Sequence, residues 1–274
     1  MPEACLSVLY RSQLFVPGNR AERFEKACQS GADFVCIDLE DAVSPSEKDA
    51  ARDTVLNWLA STDHSHVSLR INPVDTPFGQ ADIKALASSG LELPFVMLPK
   101  ASSAQDIVIL DDKLPAKLGV FFAIIESAKG IVNCDSIFDH ERVKFGLYGA
   151  IDYAGDVHCD LEWETHLFCR SKLVASAAAH DVILFDTPHI DVRDLDACEA
   201  STRQAKSIGI HARSAIHPAQ VDRIHRALAP SEAEVAFAKR VLEAFEAAKG
   251  NVALLDGQFI EEPVVKKARR ILGL

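Results

Sequence analysis

The chain has 274 residues, 48% of them hydrophobic, and carries a formal charge of −11 from 40 acidic and 29 basic side chains. That apolar content supplies a large core and excludes a disordered chain. The acid surplus excludes a general nucleic-acid binder, since neutralising phosphates takes an excess of Lys and Arg, but it leaves room for one small anion held by local cations.

Short apolar runs recur at residues 13–16, 34–37, 67–71, 95–98, 120–125, 143–146, 182–185 and 214–216. Amphipathic stretches follow, including 21–30, 46–60, 78–88 and 164–179. Ser44-Pro45 with Glu47 reads as a helix start, and Gly31, Gly90 and Gly209 stand where helices should end. Eight strands alternating with helices predict a parallel sheet covered on both faces. Their number and the chain length favour a (β/α)8 TIM barrel, and no GxGxxG follows the first strand to suggest a dinucleotide fold. The barrel is expected over residues 1–228. A C-terminal helical extension over 229–274 begins with a helix at 231–249 and ends in a tail rich in Val, Leu and Glu.

The chain contains no stretch approaching the roughly 18 uninterrupted apolar residues of a membrane span. Its N-terminus has no basic segment leading into a long apolar run. Seven cysteines without CxxC spacing suit reduced thiols. These features read as a cytoplasmic protein with no membrane segment.

Barrel enzymes carry their chemistry where strands end. Asp38, Glu40 and Asp41 follow the second strand. Arg70 and Asn72 flank the end of the third, Lys100 ends the fourth, and Glu126 follows the fifth. Asp152 and Asp156 follow the sixth, Asp186 ends the seventh, and His217 follows the eighth. Glu126 and Asp152, on neighbouring strands, form the kind of two-carboxylate site that Mg²⁺ completes with water. No His or Cys cluster suggests zinc. Each residue also has a plainer reading: Asp152 as a helix cap, Arg70 as a structural ion pair, Lys100 as a solvated cation, His217 as a hydrogen-bonded structural histidine.

The segments RSQLFVPGN, CIDLEDAV, LRINP, VMLPK, IIESAKGI, GAIDYAGD and SAIHPAQ occur in this order. Together they resemble the HpcH/HpaI aldolase and citrate lyase β-subunit superfamily, and most closely its citramalyl-CoA and malyl-CoA lyase branch. The resemblance implies a TIM barrel, a homotrimer or trimer-based assembly, and Mg²⁺ held by Glu126 and Asp152. It places Glu40 and Asp41 around waters of the ion's shell, and Arg70 on the keto-acid half of the substrate. Lys100 and Asn72 join Arg70 as substrate-binding candidates, and Lys100 is not expected to form a Schiff base. A tail acid, here Glu261 in FIEEP, is implied to reach a neighbouring subunit's site; its plainer reading is a cap for the helix near Pro263. The sequence departs from the family pattern at Ile151, at Ala212-Arg213 and at Glu261, where an acid, Gly-Lys and Asp are usual.

The implied reaction splits a 3-hydroxyacyl-CoA thioester into acetyl-CoA and a 2-keto acid. Mg²⁺ favours the developing carbonyl, Arg70 supplies fixed charge, and Glu261 is a candidate for a proton transfer. (3S)-Citramalyl-CoA is the favoured substrate, with malyl-CoA and citryl-CoA as alternatives. A citrate lyase β subunit that works only with an acyl-carrier partner, and an acyl-CoA thioesterase, are the competing functions.

Overall fold

The computed structural model describes residues 10–61, 65–249 and 251–274. Eight strands follow one another around a closed parallel barrel. They are β1 (Ser12–Pro17), β2 (Phe34–Asp38), β3 (Val67–Arg70), β4 (Phe95–Leu98), β5 (Val120–Ile125), β6 (Val143–Tyr148), β7 (Ile183–Asp186) and β8 (Ala212–Ala215). β1 pairs with both β2 and β8, which closes the sheet. In the connections lie α1 (Phe24–Cys28), α2 (Lys48–Ser61), α3 (Pro77–Ser88), α4 (Ala104–Lys113), α5 (Ala128–Phe138), α6 (Ala150–Val157), α7 (Trp163–Ala179) and α8 (Leu195–Ser207). After β8 comes α9 (Ala219–Leu228). This is the expected (β/α)8 barrel. Its strands are apolar on both faces, so helices must cover the outside.

The two-residue period of a strand decides what faces inward. Phe34, Phe95, Phe122, Phe145 and Phe185 fill the interior. The rings of Phe34 and Phe95 meet edge to face at 4.6 Å, and those of Phe122 and Phe185 lie 5.0 Å apart. Each such pair adds about 0.5–1.5 kcal/mol beyond the burial itself. Two residues further along β2, β5 and β6 stand Cys36, Ile124 and Leu147, in the same cluster. Two further again are Asp38, Glu126 and Gly149. The alternation that packs an aromatic layer therefore carries polar groups up the inside of the barrel to its C-terminal rim.

Several boundaries differ from expectation for local reasons. The first helix opens with a 3-10 turn at Ala21–Arg23. α2 starts at Lys48, later than residue 46, because Ser44 Oγ donates to Glu47 Oε2 at 2.7 Å and the intervening residues form a turn of their own. β8 starts two residues early, at Ala212, where its pairing with β1 places Arg213 opposite Ser12. Gly31, Gly90 and Gly209 have φ of +80°, +74° and +106°, the left-handed geometry expected at helix ends.

Tyr10–Ala227 forms one compact unit, and Leu228–Leu274 belongs to a second. The second contains α10 (Glu232–Ala247), β9 (Ala253–Leu255), β10 (Gln258–Ile260) and α11 (Glu262–Leu272). Ser231 and Glu234 form a capping box at the start of α10. Ile260, Val265 and Ala268 pack with Ala238 and Val241. The expected helical extension is present, with an antiparallel hairpin inserted in it. Asp256 and Gly257 turn the chain with φ of +51° and +81°, the pair of positive values a tight hairpin needs. The Asp-Gly dipeptide between two apolar pairs was the sequence signal for it.

Among the described residues no helix is long and apolar enough to cross a membrane. The six described cysteines are free.

Candidate active site

Asp38 and Arg70 are register partners at the ends of β2 and β3. Arg70 Nε donates to Asp38 Oδ1 at 2.6 Å, and Nη2 donates to Oδ2 at 2.5 Å. This bidentate pair fixes the guanidinium plane. The guanidinium carbon also lies 4.9 Å from the Phe15 ring centroid. Nη1 stands 3.1 Å from Glu40 Oε2, without hydrogen-bond alignment, so that buried oxygen has no hydrogen-bond partner. Burial opposes the Arg70 charge, but Asp38 and then Glu40 outweigh it and raise its pKa. Arg70 is a permanent cation.

Asp38 accepts hydrogen bonds from the amides of Glu40, at 2.8 Å, and Ala42, at 3.1 Å. It thereby folds the DLED turn back over its own strand. Glu40 Oε1 accepts a hydrogen bond from Lys100 Nζ, and Asp41 Oδ1 lies 3.5 Å from that nitrogen. Burial raises the Glu40 pKa, with Arg70 and Lys100 pulling it back. Burial also acts to raise Asp41, yet Glu40 and the cations outweigh it and lower the pKa. Lys100 adopts φ +54°, and its amide donates to Glu126 Oε1 at 2.7 Å. One residue thus grips Glu40 and Asp41 through its ammonium and Glu126 through its backbone.

Glu126 is 4% exposed. Burial, and then the charge of Asp152, push its pKa up to about 8, with Arg70 partly offsetting them. Its side chain runs across Gly149, where a Cβ atom would fall 2.5 Å from Glu126 Cβ and 2.6 Å from Oε2. Asp152 lies in the first turn of α6, whose N-cap is Gly149. It is therefore inside the helix rather than its cap, which corrects the plainer reading. A cavity of about 410 Å³ opens here, lined by Asp38, Asp41, Arg70, Glu126 and Asp152 on one side. Phe15, Ile124, Leu147, Ile151 and Ile216 form an apolar wall.

Other expected residues lie elsewhere. Asn72 is 3% exposed, and its amide nitrogen donates to Leu39 O at 3.0 Å and to Asp82 Oδ2 at 2.7 Å. Those bonds leave it supporting the DLED turn instead of facing a substrate. Asp156 accepts from the Ala128 amide at the start of α5. Asp186 is buried against Arg170. His217 accepts from the amide of Ala219 in its own turn. Glu261 belongs to the second unit, at the N-cap of α11, and its side chain makes no cap hydrogen bond. Two residues at the rim escaped sequence reasoning. Gly149 gave the faint signal of a glycine after a strand. Lys48 gave none, since a lysine opening a helix normally reads as solvated; here it is 8% exposed, and burial lowers its pKa against the pull of Glu40 and Asp38.

These residues fit a divalent cation. When Glu126 is ionised, the five acids Asp38, Glu40, Asp41, Glu126 and Asp152 outnumber the cations Arg70, Lys100 and Lys48 by two charges. The donors are all oxygen, the set that Mg²⁺ favours. Among the described residues no three His, Cys, Asp or Glu side chains close on one point. A pair of carboxylates with waters suits Mg²⁺, which sheds water reluctantly.

Fold and rim together define a (β/α)8 barrel with an acid-lined cavity at the C-terminal ends of its strands. The chain belongs to the HpcH/HpaI aldolase/citrate lyase family, whose model matches residues 11–218. It is 33% identical to the citrate lyase subunit beta of Leuconostoc mesenteroides subsp. cremoris, over 97% of this chain and 93% of that one. It is 31% identical to a (3S)-malyl-CoA thioesterase of Cereibacter sphaeroides, over 96% and 94% of the two chains. Its structure is similar to that of protein CitE from Mycobacterium tuberculosis in complex with magnesium, acetoacetate and coenzyme A. The TM-score is 0.86, with 29% identity over 97% of this chain and 98% of the other.

Proposed function

We propose that the chain is a Mg²⁺-dependent carbon–carbon lyase that cleaves (3S)-citramalyl-CoA to acetyl-CoA and pyruvate, working in the cytoplasm as a homotrimer. The observation that carries the reading is the buried Glu126 carboxylate beside Asp152, on a cavity that also presents Arg70. Glu126 and Asp152 would hold the ion. When bound, Mg²⁺ supplies Lewis acidity that favours the carbonyl of the departing keto acid. Citrate lyase and malyl-CoA thioesterase relatives, and a neighbour complexed with magnesium and coenzyme A, support a CoA-ester enzyme of this kind.

The chain's own groups have separate tasks. Arg70, oriented by Asp38, offers fixed positive charge to the carboxylate of the acid half and to the enolate left on the thioester. Glu40 and Asp41 are held at the rim by Lys100 to orient the polar end of the site. The hydroxyl proton leaves as the carbon–carbon bond breaks, its electrons pass to the acyl α-carbon, and that carbon is then protonated to give the acetyl group. Glu261 of a neighbouring subunit is the candidate for one of these transfers. The wall of Ile124, Leu147 and Ile151 favours a methyl substituent, and hence citramalyl-CoA over malyl-CoA or citryl-CoA, by about 1–3 kcal/mol at most.

The thioesterase relative keeps hydrolysis as a second reading, because the same cavity has room for an attacking water. Purified protein should be given citramalyl-, malyl- and citryl-CoA with Mg²⁺, then with EDTA. Formation of keto acid and acetyl-CoA that EDTA abolishes is the expected result. Free hydroxy acid and CoA would establish the hydrolase instead. Turnover only on a carrier-protein thioester would identify a subunit of a larger lyase.

A further inference from the structure

The DLED turn is gripped from behind by groups outside the cavity lining. Lys48 opens α2 with its side chain buried, and its Nζ donates to the carbonyl oxygens of Leu39 at 2.9 Å and Glu40 at 2.8 Å. A third side of the ammonium faces the Phe78 ring, 5.7 Å from its centroid. Its acceptors are two backbone carbonyls, which turns a buried charge toward holding a chain path. Asn72 donates to the same Leu39 oxygen. Asn72 is in turn fixed by Asp82, which accepts from the Asn72 amide at 2.9 Å and from Arg52 Nε at 2.6 Å. Asp38 holds the same turn from the other side through the Glu40 and Ala42 amides.

We propose that Lys48 is a positioning residue for the reaction: its ammonium clamps the Leu39 and Glu40 carbonyls so that the Glu40 and Asp41 carboxylates project toward Arg70 and Lys100. The proposal deepens the lyase reading and rests on it for the kinetic consequence only. Without the clamp the turn keeps its bonds to Asp38 and Asn72, so the barrel stays folded while the two carboxylates lose their fixed direction. Misplacement on the scale of an ångström costs about 10²-fold in rate.

Lys48→Met, which keeps length and removes the donors, tests this in the full-length protein. Turnover should fall tenfold to a hundredfold with KM changed less than threefold, and the melting temperature should stay within a few degrees. Mg²⁺ affinity, measured calorimetrically without substrate, should be unchanged or tighter, because a cation has been removed from an acid-rich site. Amide exchange at Glu40, Ala42 and Val43 should accelerate at least tenfold, since Val43 N donates to the Glu40 oxygen that Lys48 holds. Wild-type turnover together with unchanged exchange overturns the proposal, and so does a loss of Mg²⁺ binding in parallel with turnover. Should Lys48→Met not fold, Lys48→Gln keeps one neutral donor: intermediate turnover and exchange support the clamp, and wild-type values overturn it. A wild-type protein that cleaves no thioester defeats the lyase reading alone, because the exchange measurement still decides the clamp.

Discussion

At Gly149 the chain has no room for a methyl group. Glu126 occupies the space a side chain would need, so Gly149→Ala must push the carboxylate away from the cavity or shift the start of α6 and with it Asp152. Neither movement disturbs the aromatic layer two turns of the strand pattern below, so the fold should survive. Turnover is expected to drop by about 10²-fold or more, and Mg²⁺ affinity with it. A Gly149→Ala protein with wild-type kcat and wild-type Mg²⁺ binding would sink the assignment of Glu126 as the ion's ligand. The same residue scale explains why Lys100 is more than a solvated cation. Its positive φ turns the amide toward Glu126 while the ammonium reaches the DLED acids.

Among the elements, β1 and β2 are stitched together at their N-terminal ends. Asp33, just before β2, accepts hydrogen bonds from the amides of Arg11, at 2.6 Å, and Ser12, at 2.9 Å, at the start of β1. His225 of α9 lies 3.5 Å from the same carboxylate and 2.7 Å from Ser12 Oγ. Burial would raise the Asp33 pKa, but His225 and the two amides outweigh it and lower it. A carboxyl whose folded pKa lies below its unfolded value of about 3.9 contributes stability above that value. The contribution is lost as the pH falls through the folded pKa. Asp33→Asn should therefore cost about 1–3 kcal/mol at pH 7, with the gap to wild type closing as the pH drops below about 4. Thermal melts at a series of pH values check this, and a gap that stays constant into acid would show that the charge is not the cause. Catalytic constants per folded molecule should not change, because this end of a barrel serves stability.

At the scale of the whole molecule, the tail places an acid, Glu261, at the start of α11. Its main chain caps α11, accepting from Val264 and Val265 at 2.9 and 3.1 Å, while its carboxylate takes no part in the cap. Beside it the hairpin exposes Leu254 and Phe259, 66% and 70% accessible and paired across the strands. If the carboxylate works in a neighbouring chain's cavity, Glu261→Ala alone should lower turnover by about 10²–10⁴-fold and leave Mg²⁺ binding intact. Co-expression of Glu261→Ala with Glu126→Ala should then restore part of the activity, since some assemblies pair an intact tail with an intact ion site. Mixed assemblies as inactive as either parent, with subunit exchange demonstrated, would reject the shared site.

The barrel was legible because each strand is a short apolar run and each following helix an amphipathic one, patterns set by local spacing alone. The order of polar residues at the strand ends was legible for the same reason: Lys100 and Glu126 stand one or two residues past an apolar run, and Arg70 ends its strand. What those residues touch was not legible. Asn72 read as a ligand group, and only packing against Asp82 and Leu39 turned it inward; Lys48 gave no signal, and only the path of the DLED turn brought two carbonyls to its ammonium. The hairpin in the tail left only its Asp256-Gly257 dipeptide as a signal, because strands three residues long are too short for periodicity to register. Sequence spacing is one-dimensional, so it determined the element order and the rim on which the acids gather. Hydrogen-bond partners come from strands 30 to 60 residues apart, as with Arg70 and Asp38 or Lys100 and Glu40, and only closure of the barrel decided those pairs and, through them, which side chains face the cavity.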